Sequence, residues 1–157
     1  MNDEETFKGA LKFPKEERLH HRSLIEGLFK GGKSFYEFPF RVIWKIMSPA
    51  DLEKNFRHRI PEEVGKLQMM VTVPKKRRRK ANDRVLMRRR IREAYRTNRL
   101  PLKRDIEGNE SIGTFSVGIV YIHDKNLSYT QIEGKMKTVI SKLGAKRPAD
   151  ASVQIKY

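Results

Sequence analysis

The chain has 157 residues, no cysteine and a formal net charge of +16, with a pI near 10.2. This length predicts a single domain, and the lack of cysteine excludes a disulfide framework and a thiolate metal site. Apolar residues at 38% and charged residues at 34% are typical of a folded, highly charged domain. A basic excess of this size indicates an anionic partner.

The two ends of the chain differ from its centre. Residues 1–14 are polar and predict a loose N-terminal segment, residues 15–144 form the predicted domain, and residues 145–157 form a C-terminal tail. No apolar run approaches the ~20 residues of a membrane span, and the N-terminus lacks a signal-peptide core. We therefore expect a soluble cytoplasmic protein that does not contact a membrane.

The first half of the domain predicts one helix followed by strands. Residues 23–30 predict a helix, because apolar side chains recur there at helical spacing, at Leu24, Ile25, Leu28 and Phe29. The glycine pair Gly31-Gly32 is expected to end this helix. Residues 34–47 alternate between apolar and polar side chains and predict extended chain, with Pro39 at a break or an edge. Residues 48–66 are polar and predict an extended hairpin loop before a second strand over residues 67–73.

Residues 75–99 carry most of the net charge. Thirteen of these 25 residues are Lys or Arg and only Asp83 and Glu93 are acidic, so the segment has +11 of the total +16. It begins with six consecutive basic residues, 75–80. Such a run alone is often a solvated face or a nuclear import signal. Because this run adjoins an arginine-rich helix, it predicts a nucleic-acid-binding surface, in particular one for folded RNA.

The helix predicted after this run has two different faces. At about 100° per residue, one sector holds Met87, Ile91, Ala94, Tyr95 and Asn98, and the opposite sector holds Arg88, Arg89, Arg92, Arg96 and Arg99. Asn82 or Asp83 is expected to cap the helix, and Leu100-Pro101 to end it. Arginines at this spacing repel one another on an isolated helix, so we expect an anionic partner to neutralise them.

The second half of the domain completes a small sheet. Residues 101–113 predict a loop, and residues 115–123 predict a central buried strand. A last helix is predicted to begin at the capping-box pair Ser128 and Gln131 and to end near Gly144. In the tail, Val153 and Ile155 alternate with polar residues as in a short strand. The predicted fold is a single-domain α+β sandwich with three helices on one side of an about four-stranded sheet. Its order is α-β-β-β-α-β-α, and the basic helix between two strands can be a crossover connection.

Several segments together resemble the protein component of bacterial ribonuclease P. The most specific are residues 73–76 (VPKK) and 81–96, which resemble the family's signature, and weaker likeness occurs at residues 15–19, 24–34, 39–44 and 128–132. The likeness spans roughly residues 13–144. It implies an RNA-binding subunit that is not itself the catalyst but assists a catalytic RNA in Mg2+-dependent removal of the 5′ leader from precursor tRNA. It also implies a left-handed crossover through the basic helix, an exception to the usual handedness.

The resemblance also implies the partners and the residues that bind the catalytic RNA. By position these residues are Lys75, Lys76, Arg84, Arg88, Arg89, Arg92 and Arg96. Arg84 matches the first arginine of the family's Arg-Asn-Arg signature, but Val85 and Leu86 occupy the next two positions. Arg90 or the run at residues 75–80 is a candidate to compensate. We expect no cofactor bound by the protein itself, Mg2+ supplied with the RNA, and no obligate protein partner.

A cleft between the first helix and the sheet is implied for the single-stranded 5′ leader of precursor tRNA. The matching positions are Ile25, Phe29, Arg41, Ile43 and Lys45. Single-stranded RNA is bound by apolar and aromatic faces that stack on bases and by cations that follow the phosphates. Ile25 and Phe29 are alternatively ordinary core residues, whereas Arg41 and Lys45 on a strand must meet water or an anion.

No constellation of residues predicts a protein active site. His20, His21 and His58 lack metal-ligand spacing, and the acidic residues of 48–66 do not form a recognisable two-metal site. One alternative is a structural RNA-binding protein, ribosomal or an assembly factor, without a role in cleavage. Another is a DNA-binding module, which predicts a helix-turn-helix partner and dimer symmetry that the sequence does not show. A membrane-surface role would need a facing stripe of Trp and Phe, which the basic helix lacks.

Overall fold

The computed structural model describes residues 12–57 and 59–148. Within them a short 3-10 helix, Lys15–Glu17, precedes five α-helices and four strands. The helices are α1 (Arg22–Gly31), α2 (Pro49–Asn55), α3 (Ala81–Asn98), α4 (Leu100–Glu107) and α5 (Tyr129–Ala145), and the strands are β1 (Lys33–Glu37), β2 (Phe40–Met47), β3 (Leu67–Thr72) and β4 (Thr114–Tyr121). The predicted α+β class with a four-stranded sheet is confirmed. The predictions for His58, Val153 and Ile155 lie outside the described residues.

The four strands form one mixed sheet in the order β1-β2-β4-β3. β1 and β2 are an antiparallel hairpin that turns at a cis Phe38-Pro39 peptide bond. β2 pairs antiparallel with β4, and β3 pairs parallel with β4. Parallel neighbours need a crossover connection, and here α3 and α4 form it together. The prediction that the basic helix is a crossover is confirmed, and its left-handedness stays a prediction.

Two segments predicted to be loops contain helices. Residues 48–66 are not a hairpin loop, because β4 lies between β2 and β3 in the sheet. They contain α2, which is capped by the Ser48 hydroxyl accepting from the Asp51 N–H at 3.1 Å and which buries Leu52. Residues 101–113 contain most of α4. Pro101 lies in its first turn, where a missing N–H costs nothing, so the Leu100-Pro101 pair ends α3 by starting another helix.

Two predicted helix ends differ from the structure. Lys80 is the N-cap residue of α3, so Asn82 and Asp83 are already helical and neither side chain caps the helix. Asp83 instead pairs with Arg78 at 2.9 Å. The last helix continues through Gly144 to Ala145, whereas the predicted capping box at its start is confirmed.

Helices cover both faces of the sheet, not one as predicted. The main core lies between the sheet and α3, α4 and α5, and it contains Phe115, Val117, Ile119 and Tyr121 of β4. The opposite face carries a smaller cluster that α1 and α2 cover, with Leu24, Leu28, Ile43 and Leu52. This three-layer arrangement places α3 on one side of the sheet and the cleft beside α1 on the other.

Candidate nucleic-acid interface

The apolar stripe of α3 packs on the main core as predicted. Met87, Ile91, Ala94 and Tyr95 are all 0% exposed. Asn98 is partly buried at the end of this stripe, where its amide donates to the Ala94 carbonyl at 2.8 Å and to Glu133 at 3.3 Å. This packing fixes the rotation of α3 about its axis and turns the opposite face toward solvent.

The solvent face of α3 carries four of the five predicted arginines. Arg89 and Arg92 are exposed, and Arg88 is partly exposed. Arg96 is also on this side, where it pairs with Glu93 at 2.5 Å, and that guanidinium lowers the pKa of the Glu93 carboxyl. Arg88, Arg89 and Arg92 make no ion pair with any residue in the described part of the chain. The face is therefore a cluster of cations available to an anionic ligand.

Arg99 is the exception, since its side chain is completely buried. It lies at the junction of α3 and α4, where the chain direction changes, and its guanidinium points inward to Glu17. Arg99 Nε and Nη2 donate to the two Glu17 carboxylate oxygens at 2.7 and 2.9 Å, and Lys103 approaches the same carboxylate at 3.4 Å. The pair anchors the 3-10 helix to this junction, and the prediction that Arg99 belongs to the solvent face is wrong.

Some arginines of the signature segment, residues 81–96, contact other parts of the protein instead of pointing into solvent. Arg84 is partly buried, and its Nη1 donates to the backbone carbonyls of Arg78 and Arg79 at 3.0 and 2.7 Å. Arg84 thus holds the preceding loop against the start of α3. Val85 is 45% exposed. Arg90 donates to the Leu127 carbonyl, so it ties α3 to the segment before α5.

The basic loop, residues 75–80, forms a second cationic surface at the N-terminus of α3. Its side chains are exposed except for Arg78, which pairs with Asp83 and also donates to the Asp124 carbonyl. The Pro74 carbonyl accepts from the N–H groups of Arg77 and Arg78 at 3.0 and 3.1 Å and so closes a turn. The loop lines a depression of about 470 Å3. Lys75 and Lys76 therefore lie on a folded loop at the N-terminus of α3.

The other group of predicted residues lies on α1 and on the face of β2 that α1 covers, where the family resemblance implies a cleft. Phe29 is 49% exposed, so the alternative of core packing is wrong for this residue, whereas Ile25 packs partly against the smaller core cluster. Ile43 is only 3% exposed and lies in that cluster, which places it beneath the cleft rather than on its surface. Of these three residues, Phe29 is the one that offers a free apolar surface.

The cations of β2 lie along this cleft. The Lys45 amine lies against α1, where a Cβ added at Gly27 or Gly31 would be 3.5 Å from its Nζ. Arg41 is partly buried, and its Nε has no hydrogen-bond partner within the described residues. Directly opposite Arg41 in the register is Tyr36, whose side chain is 67% exposed. Tyr36 was not predicted from the sequence, although its alternation with the core-facing Phe35 is a signal that it faces the cleft side of the sheet.

The described part of the chain contains neither a cluster of metal-ligating side chains nor a helix able to cross a membrane. No group of three or more His, Asp or Glu residues converges there in a way that could hold a metal ion. None of the described helices has both the length and the apolar character that crossing a bilayer requires. The rings of His20 and His21 lie against each other, with their centroids 4.3 Å apart. The pKa of His21 is lowered mainly by burial and in addition by the nearby His20.

Comparison with known sequences points to one family. A family model described as Ribonuclease P matches residues 13–144. A curated protein named Ribonuclease P protein component, from Porphyromonas gingivalis strain W83, is 28% identical over 137 residues, which cover 87% of this chain and 90% of that protein. The protein of the same name from strain ATCC 33277 matches equally well.

Comparison with solved structures shows the same fold. The 2.0 Å structure of the Staphylococcus aureus RNase P protein superposes with a TM-score of 0.54 at 18% identity, covering 83% of this chain and 95% of that one. The RNase P protein of Thermotoga maritima gives a TM-score of 0.53 at 19% identity, covering 80% and 96% of the two chains. The α+β fold with a four-stranded sheet is thus shared with these two RNase P proteins.

Proposed function

The chain belongs to the ribonuclease P protein family, and we propose that it is the RNA-binding subunit of ribonuclease P. In this role it assists the catalytic RNA in the magnesium-dependent removal of the 5′ leader from precursor tRNA. The RNA is the catalyst and brings the Mg2+, while the protein binds both the catalytic RNA and the leader in the cytoplasm. Membership of the family already implies a part in tRNA 5′ processing.

The observation that carries this proposal is the exposed cations of α3 together with those of the basic loop that precedes it. Arg89 and Arg92 are exposed on a helix whose other face is buried, so the packing fixes the side of the helix from which they project. Guanidinium groups suit phosphate oxygens and can stack on bases. Lys75 and Lys76 contribute two more exposed cations from the loop. Phosphate neutralisation on such a surface releases counterions, which makes binding salt-dependent.

The second support is a cleft of different character on the other face of the sheet. It combines the exposed Phe29 ring with the cations Arg41 and Lys45, and Tyr36 adds a second exposed ring beside Arg41. Aromatic faces and cations in one cleft match the chemistry of single-stranded RNA rather than of a duplex. We therefore assign the 5′ leader to this cleft and the catalytic RNA to the face of α3.

Reconstitution tests this assignment. The purified protein is added to its cognate ribonuclease P RNA at low magnesium, and leader removal from precursor tRNA is followed. We expect cleavage that requires both components. Tight, salt-sensitive RNA binding without any stimulation of cleavage would favour the alternative of a structural RNA-binding protein.

Paired variants separate specific contacts from total charge in the same assay. Arg89→Ala with Arg92→Ala removes two charges from α3, and Arg104→Ala with Lys137→Ala removes two exposed charges from α4 and α5. We expect each lost phosphate contact to cost about 1 kcal/mol of binding free energy. The first pair should therefore weaken binding of the catalytic RNA at least about ten-fold more than the second pair does. Equal effects of the two pairs would show that only net charge matters.

A further inference from the structure

A pocket of about 420 Å3 lies at the outer edge of the sheet, between β3, α3 and the residues that precede α1. Its walls include Phe13, Arg18, Met69, Val71 and Arg92, and none of its lining residues is acidic. The pocket is at the free edge of β3 and includes Leu19 and Met70 of the α1-side cluster, whereas the residues Phe29 and Arg41 lie on α1 and on β2, which β4 separates from β3. It is therefore separate from the proposed leader site, and its only cationic groups are the two arginines.

The guanidinium of Arg18 is held in place at this pocket. Its Nε and Nη2 donate to the Phe13 carbonyl at 3.2 and 3.0 Å, and its central carbon lies 5.7 Å from the Phe13 ring centroid. Phe13 is in turn packed edge-on against the buried Tyr95, with ring centroids 5.9 Å apart. A guanidinium that is already immobilised loses little further side-chain entropy on binding. It offers a flat, charged surface on which a base can stack.

The edge of β3 adds hydrogen-bonding groups to the pocket. β3 is an outer strand, and the Met69 carbonyl on its free edge accepts from the Leu19 N–H at 3.0 Å. Backbone groups alternate in direction along a strand, so the N–H and C=O of Val71 point to the same edge. Within the described residues no hydrogen bond occupies these two groups on that edge. A donor beside an acceptor can pair with the Watson–Crick edge of an unpaired base, since each base presents at least one donor next to an acceptor on that edge.

Arg92 connects the pocket to the surface assigned to the catalytic RNA. It is exposed on the arginine face of α3 and also lines the pocket, so a nucleotide leaving that surface can enter while its phosphate stays near Arg92. We infer that this edge pocket binds one unpaired base of the catalytic RNA, stacked on Arg18 and hydrogen-bonded to the edge of β3 at Val71. The inference rests on the proposed function and adds a contact with a base to a surface that otherwise binds phosphates.

Chemical probing of the complex tests the pocket. Dimethyl sulfate modifies adenine N1 and cytosine N3, and a water-soluble carbodiimide modifies uracil N3 and guanine N1, so together they report on the ring nitrogen that would face Val71 in each base. We expect the wild-type protein to protect one unpaired base of the catalytic RNA from its reagent, and the Arg18→Ala variant to lose this protection. Protection of the RNA backbone from hydroxyl radicals by the basic loop and α3 should remain in that variant.

Affinity measurements supply the matched controls. Stacking of one base contributes about 1–3 kcal/mol, so Arg18→Ala should weaken RNA binding by roughly ten-fold or more. Arg18→Lys keeps the charge but not the planar group, and it should lose most of the same affinity while the salt dependence stays unchanged. Arg22→Ala removes an equally basic side chain that is exposed and pairs only with Glu26 in the described structure, and it should weaken binding less than two-fold.

The pocket and the proposed function fail in different ways. Equal affinities for Arg18→Ala and Arg22→Ala, or a wild-type complex that protects no unpaired base, would overturn the pocket while cleavage stays stimulated. Failure of the wild-type protein to stimulate cleavage would instead overturn the proposed function. If Arg18→Ala unfolds in thermal melts, Arg18→Lys and the wild-type probing pattern decide the question.

Discussion

Replacing Glu17 with glutamine tests how strongly the 3-10 helix is tied to the junction of α3 and α4. The Glu17 side chain is 4% exposed and the Arg99 side chain 0%, and two hydrogen bonds of 2.7 and 2.9 Å join them. Glutamine keeps the volume of the side chain but removes its charge, which leaves the buried guanidinium without its counter-ion. Breaking a buried pair from one side costs about 3–5 kcal/mol. Because Arg99 keeps hydrogen bonds to the carbonyls of Lys12 and Arg96, we expect the lower end, about 3 kcal/mol.

Urea unfolding followed by circular dichroism measures this loss in the free energy of unfolding. Glu16→Gln is the matched control, since Glu16 is the exposed neighbour in the same 3-10 helix and its change should stay within about 0.5 kcal/mol. The double variant Glu17→Leu with Arg99→Met should recover most of the stability, because an apolar pair leaves no buried charge. A loss below about 1 kcal/mol for Glu17→Gln would refute the reasoning that this pair is a tightly coupled anchor.

Three other predictions concern binding, packing and pH. Arg89→Ala with Arg92→Ala should reduce the slope of log affinity against log salt by about 2, one for each lost phosphate contact, and filter binding that shows an unchanged slope would contradict those contacts. Phe29→Ala should change the free energy of unfolding by less than about 1 kcal/mol, since the ring is 49% exposed, while it reduces the preference for precursor over mature tRNA. A large loss of stability in urea would place Phe29 in the core instead. Burial and the neighbouring His20 lower the pKa of His21, so the folded state binds fewer protons there, and stability should fall as the pH drops below the ordinary histidine value of 6.5. His21→Gln should flatten this acid dependence, and an identical pH profile of the two proteins would show that His21 does not contribute.

Local features of the chain were predicted more accurately than long-range ones. The stripe from Met87 to Tyr95 and the capping box at Ser128 were predicted correctly, because each depends on residues within one or two turns. The end of α3 was predicted correctly at Leu100-Pro101, but the helix that begins there was missed. A proline signals a boundary between elements and does not specify the type of the next element.

The site residues were likewise predicted correctly where local sequence decides their position and wrongly where a long-range contact does. The exposure of Arg89 and Arg92 follows from their position opposite an apolar stripe, and a helical wheel is enough to find them. The same wheel placed Arg99 in solvent, yet its partner Glu17 lies 82 positions earlier in the chain. No local pattern contains that contact.

The sequence by itself determined the charge, the two faces of the basic helix and its place between two strands. These properties depend on composition and on the side-chain periods of two residues in strands and about 3.6 residues in helices. Such patterns can be found within a single segment of the sequence. Only the tertiary structure decided that β3 lies parallel to β4 at an outer edge, that Ile43 is buried while Phe29 is exposed, and that Arg18 and Arg92 meet at one pocket. Each of those outcomes requires two distant segments to pack against each other. The free energy of that packing depends on both segments and cannot be inferred from the sequence of either one alone.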